Sequence, residues 1–427
     1  MVQANPRLPE PHPGRRHEAL PPPPGIPGAV LVGADVGQPH PDPQLSELHE
    51  LAMSAGLRPA GSSFSRRRHI DPAFYLGSGK VAEIRQQVLD AEAGCVLFDA
   101  ALSPVQQRNL EKEIGVPVWD RTALILEIFA RRARSGEGKL QVELARLRHA
   151  ATRLVRGWTH LERQQGGIGL RGGPGEKQIE LDRRMLEDKI KQLQLRLRKL
   201  QRQRSTQRRG RRRGAQLQVS IVGYTNAGKS TLFNALTHAQ AYAANQLFAT
   251  LDTTARRVWL GEGLYAVLSD TVGFIRDLPH SLVEAFKATL DEAVEADVLL
   301  HVVDVSSAQA EQQIEQVQQV LREIGAQDVP QILIYNKIDM LDGPVPPARR
   351  QMVHDGAHAR ASIDSFDVSA LSGAGLDGLR ERLAELARQR QAASALPDPL
   401  SHPLSHPLSD LESHAPQPPH DAADLEP

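Results

Sequence analysis

The chain has 427 residues, 40% of them hydrophobic, and 51 Lys and Arg balance 51 Asp and Glu. That length allows two or three domains with sizeable cores, and the single cysteine, Cys95, excludes a disulfide framework and suits a reducing compartment. No apolar run approaches the ~18 residues needed to span a bilayer, and the proline-rich start lacks the apolar region of a signal peptide, so a cytoplasmic protein is expected.

Residues 1–27, with four consecutive prolines from Pro21 to Pro24, are expected to be disordered. Residues 28–135 alternate strand and helix. Ala29–Gly33 reads as a strand, Leu45–Ala55 as a helix, and Val81–Ala91 as a helix leading to the strand Cys95–Phe98. Pro104–Ile114 reads as a helix before a short strand, Val116-Pro117-Val118. Such alternation with short loops predicts a small parallel α/β domain. Within it, Gly77-Ser78-Gly79-Lys80 is either a phosphate-holding turn or a plain helix-opening turn.

Residues 136–213 carry two leucine-rich stripes. Leu140, Leu144, Leu147, Ala151, Leu154, Trp158 and Leu161 recur at steps of three and four, as do Ile179, Leu186, Ile190, Leu193, Leu197 and Leu200, with Arg183 breaking the first repeat. That spacing predicts two coiled-coil helices. The glycine-rich stretch from Gly166 to Gly175 cannot continue a helix. An antiparallel helical hairpin with a glycine tip follows. Residues 131–213 hold 25 Lys and Arg against 8 Asp and Glu, ending in the arginine block 208–213. This is either an RNA-binding arm or a solvated connector; the size of the excess favours RNA.

In residues 214–392, the strand-like Gln218–Val222 runs into Gly223-Tyr224-Thr225-Asn226-Ala227-Gly228-Lys229-Ser230-Thr231, and Leu232–Leu236 opens a helix. Strand, G-x-x-x-x-G-K-[ST] and helix form the P-loop context, with backbone N–H groups around a di- or triphosphate. Lys229 would reach the β- and γ-phosphates and the Ser230 hydroxyl would ligate Mg²⁺. Three later strand ends complete the pattern. At Asp270-Thr271-Val272-Gly273, the carboxylate can hold Mg²⁺ through water and Gly273 N–H can sense the γ-phosphate. At Asn336-Lys337-Ile338-Asp339, the Asp339 carboxylate can accept from guanine N1–H and its 2-amino group, which adenine cannot match. At Ser369-Ala370-Leu371, a backbone N–H can meet guanine O6. Phe248-Ala249-Thr250-Leu251-Asp252 falls where a mobile switch belongs; Thr250, Thr253 and Thr254 compete on spacing for the γ-phosphate and Mg²⁺. Together these predict an α/β P-loop GTPase domain whose ligand sites lie at the strand ends. The tail 393–427 is a low-complexity repeat, in which His402 and His406 read as disordered polar sequence rather than a metal site.

The whole resembles the HflX family of GTPases over about residues 28–390. The carrying motifs are Tyr75–Val81, Gly169–Glu176 followed by Glu180-Leu181-Asp182-Arg183-Arg184, Gly223–Thr231, Phe248–Asp252 and Asp270–Ile275. One departure is visible: the family usually has Pro-Thr-Thr after the switch aspartate, and here Thr253-Thr254-Ala255 follows Asp252. The resemblance implies a GTPase that binds the large (50S) ribosomal subunit and its RNA, acting in ribosome splitting or rescue under stress or in biogenesis. It implies Ser230 and Thr250 as Mg²⁺ ligands and the hairpin tip near the peptidyl transferase region. It also implies Gly77–Lys80 as a candidate ATP site. A monomer is expected.

Many GTPases place a water-orienting glutamine after the Asp-x-x-Gly glycine; here Phe274 stands there, so ribosome-stimulated hydrolysis is expected. Asn226, Lys229 and Thr250 are candidates for transition-state support; Asn226 either holds K⁺ or only shapes the loop. The alternative is an RNA-binding assembly factor that uses GTP only as an affinity switch. A GTPase acting on a protein or membrane partner is disfavoured by the basic hairpin.

Overall fold

The computed structural model describes residues 27–37, 45–157, 174–212, 216–238, 247–279, 282, 287–341, 350–353 and 362–395. The expected disordered tails, including His402 and His406, lie outside these except for Pro27 and residues 393–395, which end a helix. Trp158, Leu161 and the glycine tip up to Gly173 also lie outside the described residues.

The first sheet is built from β1 (Gly28–Asp35), β2 (Arg58–Arg66), β3 (Cys95–Phe98) and β4 (Val118–Asp120), in the order β2-β1-β3-β4. All its pairings are parallel. Around it lie α1 (Ser46–Ser54), α2 (Ser78–Asp90), α3 (Pro104–Ile114) and α4 (Arg121–Arg132). Local chemistry sets α3: Ser103 and Gln106 form a reciprocal capping box, Pro104 sits in the first turn, and Gly115 closes the helix at φ 88°. The strand expected at Val116–Val118 instead runs Val118–Asp120. Pro117 has no N–H for the ladder, and only its carbonyl serves, accepting from Val96 N–H at 3.0 Å. Asp120 then caps α4, accepting from Ala123 N–H at 2.8 Å.

The hairpin helices are α5 (Gly136–Gly157) and α6 (Pro174–Arg212). They pack antiparallel through Leu144, Leu193 and Leu197, with Leu140, Leu147 and Ile190 against them, so these six residues of the predicted stripe form the seam. Arg153 of α5 pairs with the buried Asp120 at 2.6 Å, pinning the hairpin to the first sheet's body.

The second sheet comprises β5 (Leu217–Gly223), β6 (Thr254–Gly261), β7 (Leu264–Asp270), β8 (Val298–Asp304), β9 (Gln331–Asn336), β10 (Arg350–Val353) and β11 (Ser362–Val368). Its helices are α7 (Lys229–Thr237), α8 (Lys287–Val294), α9 (Ala310–Ile324) and α10 (Leu376–Ala395), with a 3₁₀ turn at Ile338–Met340. The strand order is β10-β11-β9-β8-β5-β7-β6, parallel except where β10 and β6 pair antiparallel at the edges. The central strand β8 is apolar along nearly its whole length because helices cover both faces. The chain runs from β5 to one side and later to the other, and the loop after β5 lies at that reversal, where open parallel sheets bind ligands. Among the described residues, no helix is long and apolar enough to cross a membrane.

The two sheet bodies share one apolar cluster. Phe129 of α4 meets Phe248 edge-to-face, with ring centroids 4.7 Å apart, and Leu247 N–H donates to Ser54 Oγ of α1 at 3.0 Å.

Candidate functional site

The loop after β5 curls through two left-handed positions, Asn226 (φ 62°) and Gly228 (φ 95°). A Cβ at Gly228 would lie 2.1 Å from Asn336 Nδ2, so this glycine is required by its neighbour as well as by its backbone. The return loop after β7 is zipped to it. Thr225 N–H donates to Phe274 O at 2.6 Å, and Phe274 N–H donates to Gly223 O at 3.1 Å. Between them Gly273 approaches so closely that a Cβ would meet Lys229 Nζ at 2.8 Å and Thr225 Cα at 2.9 Å. The switch segment joins through Phe248 N–H, which donates to Thr225 Oγ1 at 3.1 Å. Val272 is buried and Thr271 Oγ1 donates to Ile221 O at 2.6 Å, fixing the return loop to β5.

Inside this cradle Lys229 is buried and donates to Tyr224 O at 2.6 Å. Burial pushes its ammonium down to about 8, against the nearby Asp270 carboxylate. Ser230 Oγ and Thr250 Oγ1 both donate to Asp270 Oδ2, at 2.7 and 3.0 Å, and lie 2.7 Å from each other. Of the three competing threonines, Thr250 is the one whose hydroxyl joins this cluster; Thr254 instead begins β6, paired with Asp270 in the ladder. Asp270 Oδ1 is buried and has no hydrogen-bond partner among the described residues. Burial raises the Asp270 carboxyl above its ordinary value, and the Ser230 bond opposes the rise. Two hydroxyls and a carboxylate with an unused buried oxygen are hard oxygen donors that suit Mg²⁺. No cluster of three or more His, Cys, Asp and Glu could hold a metal among the described residues; Mg²⁺ bound to phosphates needs only one or two protein ligands.

At the other end, Asn336 ties three loops. Its Nδ2 donates to Ala227 O at 2.9 Å, and its Oδ1 accepts from Ala370 N–H at 2.9 Å. Lys337, left-handed at φ 71°, pairs with Asp304 at 2.5 Å. Ile338 is buried, which turns the adjacent Asp339 outward into solvent. Ser369 is fully buried, whereas the Leu371 side chain is 81% exposed.

Some predicted site residues face elsewhere. The side chains of Phe248 and Leu251 are buried in the core, and Ala249 is half-buried between them. The Asp252 carboxylate turns away from the cradle and accepts from the N–H groups of Arg134 and Ser135. Phe274 is fully buried, so its ring cannot reach a reacting water.

Other residues at the site carry no motif. Tyr224 OH donates to Glu47 of α1 and accepts from Arg276 N–H at 2.8 Å. Arg121 bridges Glu47 and Asp99 at 2.6 Å each, and Arg276 also reaches Asp99 at 2.6 Å. Burial, with Glu47 beside it, raises the Tyr224 phenol far above its ordinary value. His301 of β8, opposite Val222 in the ladder, is fully buried; burial, then the Lys229 charge, pulls its imidazole down to about 4.

The chain is similar to known proteins over most of its length. Residues 42–130 match the family model "GTP-binding GTPase N-terminal", residues 132–211 "GTP-binding GTPase Middle Region" and residues 218–337 "50S ribosome-binding GTPase". GTPase HflX of Escherichia coli (strain K12) is 51% identical over 357 residues, covering 84% of this chain and 82% of that one. GTPase HflX of Magnetococcus marinus is 49% identical over 344 residues, covering 81% and 77%. A GTP-binding protein from Sulfolobus solfataricus, solved in complex with GDP, aligns over 85% of this chain and 99% of that one at 25% identity, with a TM-score of 0.44.

Proposed function

Because the chain belongs to the HflX family of GTPases, we propose that its GTPase cycle drives a switch on the large ribosomal subunit, splitting or rescuing stalled ribosomes under stress. The convergence of Ser230, Thr250 and Asp270 beside Lys229 carries this reading, because it joins the phosphate loop to the switch segment at one point. Mg²⁺ would be held by Ser230 and Thr250 and, through water, by Asp270, and would supply neutralisation of the charge on the phosphates. Lys229 would exchange its bond to Tyr224 O for the phosphates, and Gly273 N–H would meet the γ-phosphate. Asp339 would accept from guanine N1–H and the 2-amino group. Ala370 N–H already serves Asn336 and Ser369 N–H serves Ala374 O, so Leu371 N–H would be the donor to guanine O6.

The buried Phe274 leaves the attacking water without a side chain from that position. Large subunits would therefore accelerate hydrolysis by completing the site. Asn226, held left-handed in the loop, is the candidate K⁺ ligand; single-turnover rates that match in Na⁺ and K⁺ would remove that role. The basic hairpin would track ribosomal RNA, so binding should weaken steeply with salt. Sucrose-gradient sedimentation of whole ribosomes with the protein and GTP or a non-hydrolysable analogue tests the reading. Conversion to subunits is the expected result; intact ribosomes under both nucleotides would defeat the splitting role. The burial of Phe274 also favours a second reading, an assembly factor using GTP as an affinity switch. Multiple turnovers on added large subunits would exclude it.

A further inference from the structure

Helix α5, the first arm of the hairpin, begins on a residue of the GTP switch. Ser135 caps α5, its Oγ accepting from Gly138 N–H at 2.8 Å. The same hydroxyl donates to Asp252 Oδ1 at 2.5 Å. Asp252 Oδ2 accepts from the N–H groups of Arg134 and Ser135, at 2.9 and 2.8 Å. A carboxylate is favoured there by the helix dipole. Gly138 leaves it room: a Cβ at that position would fall 2.2 Å from Asp252 Oδ1. Two residues earlier, Thr250 bonds Ser230 and Asp270, and Leu251 between them is buried. The segment is thus fixed at three successive residues, one in the metal cluster, one in the core and one on α5.

We propose that Asp252 is a positioning residue: it sets Thr250 for Mg²⁺ and the γ-phosphate, and it links that setting to the root of the RNA-directed hairpin. The inference rests on the GTP–Mg²⁺ reading of the cradle. Coupling of this kind is reciprocal, so a displaced hairpin root also loosens Thr250. Only the triphosphate state needs Thr250, so the effect falls on GTP and spares GDP.

The test is titration of the full-length protein with fluorescent GDP and a fluorescent non-hydrolysable GTP analogue in Mg²⁺. In Asp252→Ala the analogue should bind about tenfold more weakly, and GDP binding should stay within about twofold. Asp252→Asn, which keeps an acceptor oxygen, should recover part of the loss. Gly138→Ala substitutes neither Asp252 nor Ser135, but its Cβ would fall 2.2 Å from Asp252 Oδ1 and 3.1 Å from Ser135 Oγ. Alanine is the better helix former, so a merely structural glycine predicts a steadier helix and unchanged binding, whereas displacement of Asp252 predicts the same selective loss. Hydrogen exchange supplies a second readout. The amides of residues 134–138 should be better protected with the analogue than with GDP in the wild type, and the difference should vanish in both Asp252→Ala and Gly138→Ala. Equal weakening of both nucleotides, unchanged analogue affinity in both variants, or amides indifferent to nucleotide would overturn the proposal. Wild-type GDP binding, read in the same titration, checks the cradle separately: its absence would overturn the GTP reading and this inference together.

Discussion

At Gly77–Lys80 and at Gly223–Ser230 the chain turns into a helix through glycine, with a lysine in the first turn. The surroundings differ. Gly77 has an ordinary extended backbone, Gly79 opens onto empty space, and Lys80 pairs with Glu83 of its own helix at 2.7 Å. Gly228 is left-handed and pressed against Asn336, Gly273 closes over Lys229, and Lys229 is buried among loops from three strands. A phosphate cradle is therefore made by what crowds the glycines. At the first turn a Cβ on Gly77 would fall 2.5 Å from Arg67 Nη1, the end of an exposed side chain, and Gly79 meets nothing, so the crowding there is one arginine and not loops from other strands.

The comparison can be broken by nucleotide binding. Lys229→Ala should weaken GDP binding by roughly 100-fold, about 2.7 kcal/mol; Lys80→Ala should leave it within about twofold, since a surface pair contributes at most ~1 kcal/mol. A matching loss at Lys80 would restore a second nucleotide site. Asp339→Asn should cost GTP about 30-fold, or ~2 kcal/mol, and improve binding of xanthosine triphosphate, whose C2 carbonyl can accept from the new amide. Competition against fluorescent GDP reads both changes.

Stability sharpens the contrast further. Gly228→Ala should lower unfolding stability by about 1.5 kcal/mol through strain and the clash with Asn336. Gly79→Ala, in an open helical turn, should raise it by roughly 0.5–1 kcal/mol. Denaturant midpoints decide. A further effect, read as a pH dependence, concerns His301 beneath the cradle. Its folded value of about 4 lies below its ordinary 6.5. Between these, the unfolded chain binds the extra proton, so stability falls as pH drops through that window. His301→Asn should flatten the loss by on the order of 1 kcal/mol, seen as a shallower fall in midpoint from pH 6.5 to 4.

The cradle was legible because its chemistry is local to strand ends: the loop after β5, Asp270, Asn336 and Ala370 each follow a short apolar run. The hairpin seam was legible from periodicity. The edge strand β2 was not, because its Arg-Pro-Ala-Gly-Ser-Ser-Phe-Ser-Arg sequence is poor in β-branched residues and takes its conformation from pairing with β1. The switch threonine stayed ambiguous in sequence, since spacing cannot say which hydroxyl turns toward Asp270. The Tyr224–Glu47 contact joins residues 177 positions apart and leaves no local signature. Asp252 reads as part of a nucleotide motif, and only packing shows its carboxylate on α5.

Helix α6 has 39 residues, a rod of about 58 Å at ordinary helical rise. Its described apolar seam with α5 centres on Leu193 and Leu197, near its middle. A beam braced there turns angles into displacements: a pivot of about 10° at the brace carries an end about 29 Å away through roughly 5 Å. A shift at the switch smaller than one atomic diameter, delivered to the root of the brace, would thus arrive at the other end as a movement the size of a nucleobase.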